Sequence, residues 1–214
     1  MVRVYMVRSK RNTTKRASRE FTDKDRAVMS EYYEILDTDH DTEDIRKLIK
    51  RDPDFYDPYL YVANDLRKLG RETEARELED EVFKRASRRV EDKEGNWPDE
   101  MRWGFLENRH VIRALMTGAD NLWRDGKTEE TLVVYRKLFR SNLNDNIGAR
   151  YAIIALRLGL PYEEYMRQVW PQSRMPAEHM DTWFRKHAPK FPEELAEWKQ
   201  YCKDEIGLDE EDLY

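Results

Sequence analysis

Four places in this chain bring together residue types that could do chemistry. Asp37, Asp39 and Asp41 stand at the intervals of the first ligands of a calcium loop. That loop next needs Gly at 42 and Glu at 48, and the chain has Thr42 and Leu48, so the run reads as an acidic turn between helices. Gly126-Lys127-Thr128 matches the end of a phosphate-binding loop, but Asn121 occupies the first glycine position and a helical pattern precedes it rather than a strand. His179 and His187, with Glu178 and Asp181 nearby, could share one helix face; no third ligand follows at metal spacing, so they read as surface histidines. Cys202, the single cysteine, has Lys199 and Lys203 near it and no histidine close in sequence. A catalytic thiol needs an activating base, so Cys202 reads as a half-buried packing residue. The expectation is a chain with no catalytic residue, no metal and no cofactor.

A different regularity dominates. A small residue, a basic residue five positions on and a Gly two further on recur as Ala63–Lys68–Gly70, Ala119–Arg124–Gly126 and Ala152–Arg157–Gly159. Each Gly is followed four residues later by a Glu: Glu74, Glu130 and Glu163. Each Gly sits where a left-handed cap would end one helix before its antiparallel partner begins. The last two copies lie 33 residues apart, a period of helical-hairpin stacks, whereas the first two are separated by 56 and need an extra element between them.

Apolar residues at 3.6-residue spacing supply the helices. Thr22–Asp25 is placed to cap one carrying Ala27, Met29, Tyr32, Tyr33 and Leu36, and Thr42 to cap another with Ile45, Leu48 and Ile49. Pro58 opens a helix that Gly70 ends, and Ala75, Leu78, Val82 and Ala86 mark its partner. A short helix is expected within Trp97–Phe105. Val111, Leu115, Ala119 and Leu122 form the next stripe, followed by Leu132, Tyr135, Leu138 and Phe139. Asp145 is placed to cap a helix with Ala149, Ala152, Ile153 and Leu156. Further helices are expected over 162–169, 177–187 and 193–206, divided by prolines, with Trp170, Trp183 and Trp198 as packing residues at the end of the stack. Only Val2–Met6 alternates like a strand.

Composition sets the outer limits. The 214 residues are 39% hydrophobic and 39% charged, with 12% aromatic, which suits an elongated stack of amphipathic helices and argues against disorder. No apolar run approaches the ~20 residues of a membrane span and no secretory signal is recognisable, so a cytoplasmic protein without membrane insertion is expected; the lone cysteine agrees with that compartment. The net charge of −5 is unevenly spread. Arg3, Arg8, Lys10, Arg11, Lys15, Arg16 and Arg19 form an acid-free basic arm, and residues 193–214 hold nine acids against two lysines. The arm could contact nucleic acid, fold onto the acidic body, or resemble an organelle transit segment. The domain reading is an arm over 1–20, a helical domain over 21–206 and an acidic tail over 207–214.

The segment from Asp52 to Ala75, with its Pro58, early aromatic Tyr59, small Ala63, Gly70 turn and Ala75, resembles the tetratricopeptide repeat family. The likeness extends through Leu115–Leu143 and Asp145–Glu164. The copies span about 52–90, 110–143 and 145–170. The resemblance implies an all-α fold of antiparallel helix pairs stacked as an α-α superhelix, with divergent N- and C-terminal helices. It also implies a non-catalytic adaptor holding a protein or peptide partner in a concave groove. Placed on this chain, groove-facing candidates are Asn64, Arg67 and Lys68, then Arg113, Met116, Asp120, Trp123 and Arg124, then Arg157. Basic groups beside an exposed Trp123 would suit an acidic, partly apolar peptide. Lys68, Arg124 and Arg157 equally fit as charge complements to helix C-termini. The rival reading is a nucleic-acid-associated regulator using the arm.

Overall fold

The structure is a computed structural model and describes residues 18–170, 177–209 and 213. Among the described residues it is all-helical, with no strand beyond an isolated bridge between Glu20 and Glu100. The helices are α1 (Ala27–Leu36), α2 (Thr42–Arg51), α3 (Asp57–Lys68), α4 (Glu72–Val90), α5 (Leu106–Arg124) and α6 (Thr128–Ser141). There follow α7 (Ala149–Arg157), α8 (Tyr162–Val169), α9 (Ala177–His187) and α10 (Pro192–Tyr201), which runs into a π-turn over Cys202–Ile206. Each helix from α1 to α9 packs on its neighbour in sequence; α8 also reaches α5 and α10 reaches α7. The alternation at Val2–Met6 lies outside the described residues.

The three recurring glycines end three helices in one geometry. Gly70, Gly126 and Gly159 have φ of +74°, +73° and +73°, a region costly for any residue with a Cβ. In each, the glycine N–H bonds back to the carbonyl three residues earlier and the next N–H to the carbonyl five residues before it: Arg71 to Leu66 at 2.9 Å, Lys127 to Leu122 at 2.9 Å, Leu160 to Ala155 at 3.0 Å. This paired closure satisfies carbonyls the helix leaves open. It turns the chain back at α3–α4, α5–α6 and α7–α8. It also disposes of the phosphate-loop likeness, because the Lys127 N–H is spent on the helix end.

Ala63, Ala119 and Ala152 are all buried where helices meet. Gly118 is a further close approach: a Cβ there would stand 2.1 Å from the Phe83 ring, so α4 and α5 meet this closely only because position 118 lacks a side chain. Two connected cores result. Val28, Ile45, Leu48, Phe55 and Val62 fill the α1–α3 end, and a longer core runs from Tyr59 and Val82 to Leu195 and Trp198, with Ile49 and Leu78 packed against both.

Two predicted local structures are corrected. Thr22–Asp25 does not cap α1, which begins at Ala27 after an extended Arg26 with no side-chain cap. Residues 19–26 instead cross to the loop before α5, where Phe21 N–H bonds Glu100 O at 2.8 Å. Trp97–Phe105 is not helical; it is this crossing partner, and Met101 N–H reaches Ser141 O. Asn108 ties the two segments, accepting from Asp23 N–H at 2.9 Å and donating to the carbonyls of Phe21 and Arg102 at 3.1 Å each. The first segment is further anchored by Asp23. Its buried carboxylate accepts from Arg26 Nε at 2.9 Å, Arg89 Nε at 2.8 Å and His110 Nε2 at 2.8 Å. Tyr56 N–H occupies the other His110 nitrogen, so the proton on Nε2 faces Asp23. Burial pushes the Asp23 carboxyl up, but these donors win and hold it well below the usual carboxylate range.

Candidate functional site

Most of the basic groups expected to face a partner are tied to this chain's own carboxylates. Arg67 forks onto the buried Glu79, whose Oε2 also accepts from Asn121 Nδ2 at 2.8 Å, and Asn121 Oδ1 accepts from Arg124 at 3.1 Å. Arg67 and Arg124 are thus the ends of one network across α3, α4 and α5. Lys68 pairs with Asp65 at 2.9 Å and Arg113 with the buried Asp57 at 2.5 Å. Arg157 reaches Glu193 at 3.0 Å and Glu194, which Arg136 also holds, so α10 is strapped across α6 and α7. Asn64 is exposed. The charges of Arg67, Lys68, Arg113 and Arg157 are thus already matched within the chain, whereas the exposed Arg124 has only an amide oxygen and the Tyr162 ring.

Trp123 is the clearest correction. It is 4% exposed, stacked on Tyr165 with ring centroids 4.8 Å apart, and its indole N–H bonds Leu160 O at 2.9 Å. The α7–α8 hairpin folds over this face of α5, so a position that periodicity puts on a helix surface becomes interior. The exposed indole in this region is Trp170, at 38%, just past the end of α8. Trp183 and Trp198 are buried, as expected of end-packing residues.

Beside Trp123 lies a pocket of about 210 Å³, lined by Met116, Asp120, Tyr135, Ile147, Gly148, Tyr162, Tyr165, Met166 and Trp170. Two predicted residues, Met116 and Asp120, therefore come together here. Helix α5 supplies them, α6 Tyr135, α8 its tyrosines and Met166, and the loop before α7 the remaining wall. Asp120 accepts from the Tyr135 hydroxyl at 2.5 Å and from the Tyr162 hydroxyl at 3.2 Å. Burial pushes its carboxyl above the usual range, against those hydroxyls and the charge of Arg124, and no ion pair reaches it among the described residues. Arg124 lies instead 4.0 Å from the centroid of the Tyr162 ring. Trp170 N–H bonds the Tyr165 hydroxyl at 2.7 Å, fixing the indole at the mouth. Gly148, at φ +71°, lets that indole lie close; a Cβ would stand 3.1 Å from it. The spacing Tyr162–Tyr165–Met166–Trp170 puts these side chains on one face of α8 and its end, a signal present in the sequence but used there only to place a helix.

A second aromatic cluster adjoins the first. Arg150 sits against the rings of Tyr151, Trp198 and Phe184, at 4.5, 5.2 and 5.4 Å from their centroids, and pairs with buried Asp145 at 2.9 Å. Asp145 does cap α7, accepting from Ala149 N–H at 2.6 Å and Arg150 N–H at 3.1 Å, at the cost of a left-handed φ of 47°. Burial pushes its carboxyl up to about 6 in spite of these partners.

The other chemical candidates are accounted for locally. Asp41, not the expected Thr42, caps α2 through Asp44 N–H at 3.0 Å, while the Thr42 hydroxyl donates to Asp65 at 2.6 Å. His179 bonds Gln168 O at 2.7 Å, His187 packs on Trp183, and no group of three metal-ligating side chains occurs among the described residues. Cys202 is buried, which pushes its thiol up. Of the basic arm, Arg3, Arg8, Lys10, Arg11, Lys15 and Arg16 lie outside the described residues. Arg19 is held at 2.7 Å by the carbonyls of both Val90 and Asn96. Among the described residues no helix is long and apolar enough to cross a membrane. No family model, curated protein or solved structure matches this chain.

Proposed function

We propose that this chain is a non-catalytic binding module of the tetratricopeptide-like kind, in which stacked helical hairpins hold a peptide segment of a partner protein. Three turns of one geometry, each preceded by a buried alanine, support the stacked-hairpin arrangement. The observation that carries the reading is the pocket at the α5–α6–α8 junction. It is mostly apolar, ringed by three tyrosines and a partly exposed tryptophan, and rimmed by Met116 and Met166, polarisable side chains that adapt to a guest. Aromatic residues in a concave, largely preformed site are where binding energy concentrates. Two groups capable of chemistry elsewhere are committed to structure: both His110 nitrogens are bonded, and the Cys202 thiol is buried.

The test is selection of a random peptide library on the immobilised chain, repeated with Met116→Glu and with Leu69→Glu, the latter on an exposed apolar residue of α3's end. The expected result is a peptide family retained by the wild type and Leu69→Glu and lost with Met116→Glu. Retention that is indifferent to Met116, or no enrichment at all, would sink the reading.

A further inference from the structure

We propose that the Asp120 pocket receives a lysine or arginine side chain of the partner protein, its aliphatic stem between Met116, Met166 and Trp170 and its cationic head on the Asp120 carboxylate. This inference rests on the binding-module reading and gives the partner its chemistry.

Size comes first. At about 210 Å³ the space could hold roughly seven waters, yet it is smaller than the usual small-molecule site of ~300–1,000 Å³. One long side chain fits it. Charge comes second. Asp120 is placed among aromatic rings with two hydroxyl donors and, among the described residues, no ion pair, so a desolvated negative charge there lacks a direct complement. Arg124, the nearest basic group, is engaged with Asn121 and the Tyr162 ring instead. Ring faces of tyrosine and tryptophan attract a cation further.

Third, the molecule contains the same construction with its carboxylate already paired. Arg150 rests among Tyr151, Phe184 and Trp198 and pairs with Asp145, using an aromatic wall and one carboxylate as the Asp120 pocket does. The two share a wall, since Tyr151 and Trp170 meet edge to face at 6.3 Å. An acidic guest is disfavoured, because it would meet Asp120 while Arg67, Arg113 and Arg157 are already paired.

The experiment uses the full chain carrying ¹³C-methyl methionine, with the Met116 and Met166 signals assigned by Met→Leu variants. It is titrated with the N-acetyl, N-methylamide derivatives of arginine, lysine and norleucine. Expected are saturable shifts of both methyl signals with the arginine and lysine derivatives, binding at least tenfold weaker for norleucine, and at least a tenfold loss for arginine in Asp120→Asn. Equal binding of norleucine, no shift with any derivative, or indifference to Asp120→Asn overturns the inference. Should Asp120→Asn fail to fold, the norleucine comparison on the wild type decides alone. The two readings fail separately. Selected peptides without a basic residue sink the cationic side chain and leave the binding module standing. Saturation by the arginine derivative on a chain that retains no peptide marks a free small cation, which overturns both the module and the protein source of the guest.

Discussion

The Asp145–Arg150 cluster and the Asp120 pocket are built from the same parts and end in opposite states. Each sets one carboxylate behind a wall of aromatic rings, the first where α9 and α10 meet α7 and the second where α5, α6 and α8 meet the loop before α7. In the first, Arg150 brings a guanidinium into the rings and the carboxylate is paired, bonded to two amides and buried behind it, the pocket of about 180 Å³ on the far side of Arg150 reaching the rings but not Asp145. In the second the carboxylate is bonded only to tyrosine hydroxyls and the space above it is open. Aromatic residues with a carboxylate are therefore not in themselves a sign of function. What separates an end-cap from a receptor is whether the chain supplies its own cation.

The sharpest way to break this contrast is to empty the filled cluster. Arg150→Met keeps much of the stem that packs on Tyr151 and Trp198 and removes the charge, leaving Asp145 buried without its partner. Losing one member of a buried pair costs about 3–5 kcal/mol. The expected outcome is a loss of that size in urea unfolding. A loss below about 1 kcal/mol would mean that Arg150 is as dispensable as a surface cation, and the distinction between the two sites would go.

Asp145 can then be read through pH. Its carboxyl binds a proton more tightly folded than unfolded, with its ordinary value of 3.8 pushed up to about 6 by burial. The stability this contributes is complete below the unfolded value and is lost as pH rises through the folded one. Between pH 4 and pH 6 the wild type should lose roughly 2 kcal/mol relative to Asp145→Asn, which has no proton to release, and about 3 kcal/mol over the whole titration. Taking the difference between the two chains cancels Asp23, whose depressed carboxyl acts in the opposite sense, its contribution being lost as pH falls below about 3.8. A flat difference would show that Arg150 and the two amides fully repay the burial of the charge.

These sites also mark where sequence reasoning reached and where it stopped. The three glycine turns and the buried alanines were legible because both are local: a left-handed cap and a small residue at a crossing are demanded by neighbours a few residues away. Asp145 as a cap was legible for the same reason. Gly118 was not singled out, because only Phe83 on another helix gives its missing side chain a meaning. Trp123 and Trp170 exchanged roles because period 3.6 assigns a helix face but not what covers it, and α8 covers that face of α5. The strap over 19–26 was read as a cap because Asp23 finds Arg89 and His110 far along the chain. Asp120 and Met116 were expected side by side on one helix and do line one pocket, but the tyrosines that complete it come from α6 and α8.

Gly148 tests whether the two sites are mechanically joined, because it stands between Tyr151 and Trp170. An added methyl would meet the Trp170 ring at 3.1 Å and the Tyr151 ring at 3.5 Å, in a backbone conformation with φ +71°. Gly148→Ala should cost about 1–2 kcal/mol from the left-handed backbone alone. It should also move the Trp170 indole signal in a nitrogen–proton NMR spectrum while leaving Trp123 in place. An unmoved Trp170 would mean that the wall is not shared.

The smallest effect on stability is expected at Asp120, and its smallness is the point. Asp120→Asn keeps an oxygen that accepts from a tyrosine hydroxyl and removes a charge that burial already penalises. One hydroxyl must give up its acceptor or turn to the new amide, a change worth about 1 kcal/mol, and relief of the buried charge acts the other way. The net change in unfolding free energy should stay within about 1 kcal/mol of zero and be more favourable to the variant at neutral pH than at acid pH, since only the ionised wild type carries the penalty. A carboxylate can be removed this cheaply only if nothing in its own chain depends on its charge. Were Asp120→Asn to cost as much as Arg150→Met, Asp120 would belong with Asp145 as a structural group, and the pocket above it would lose its claim to a guest.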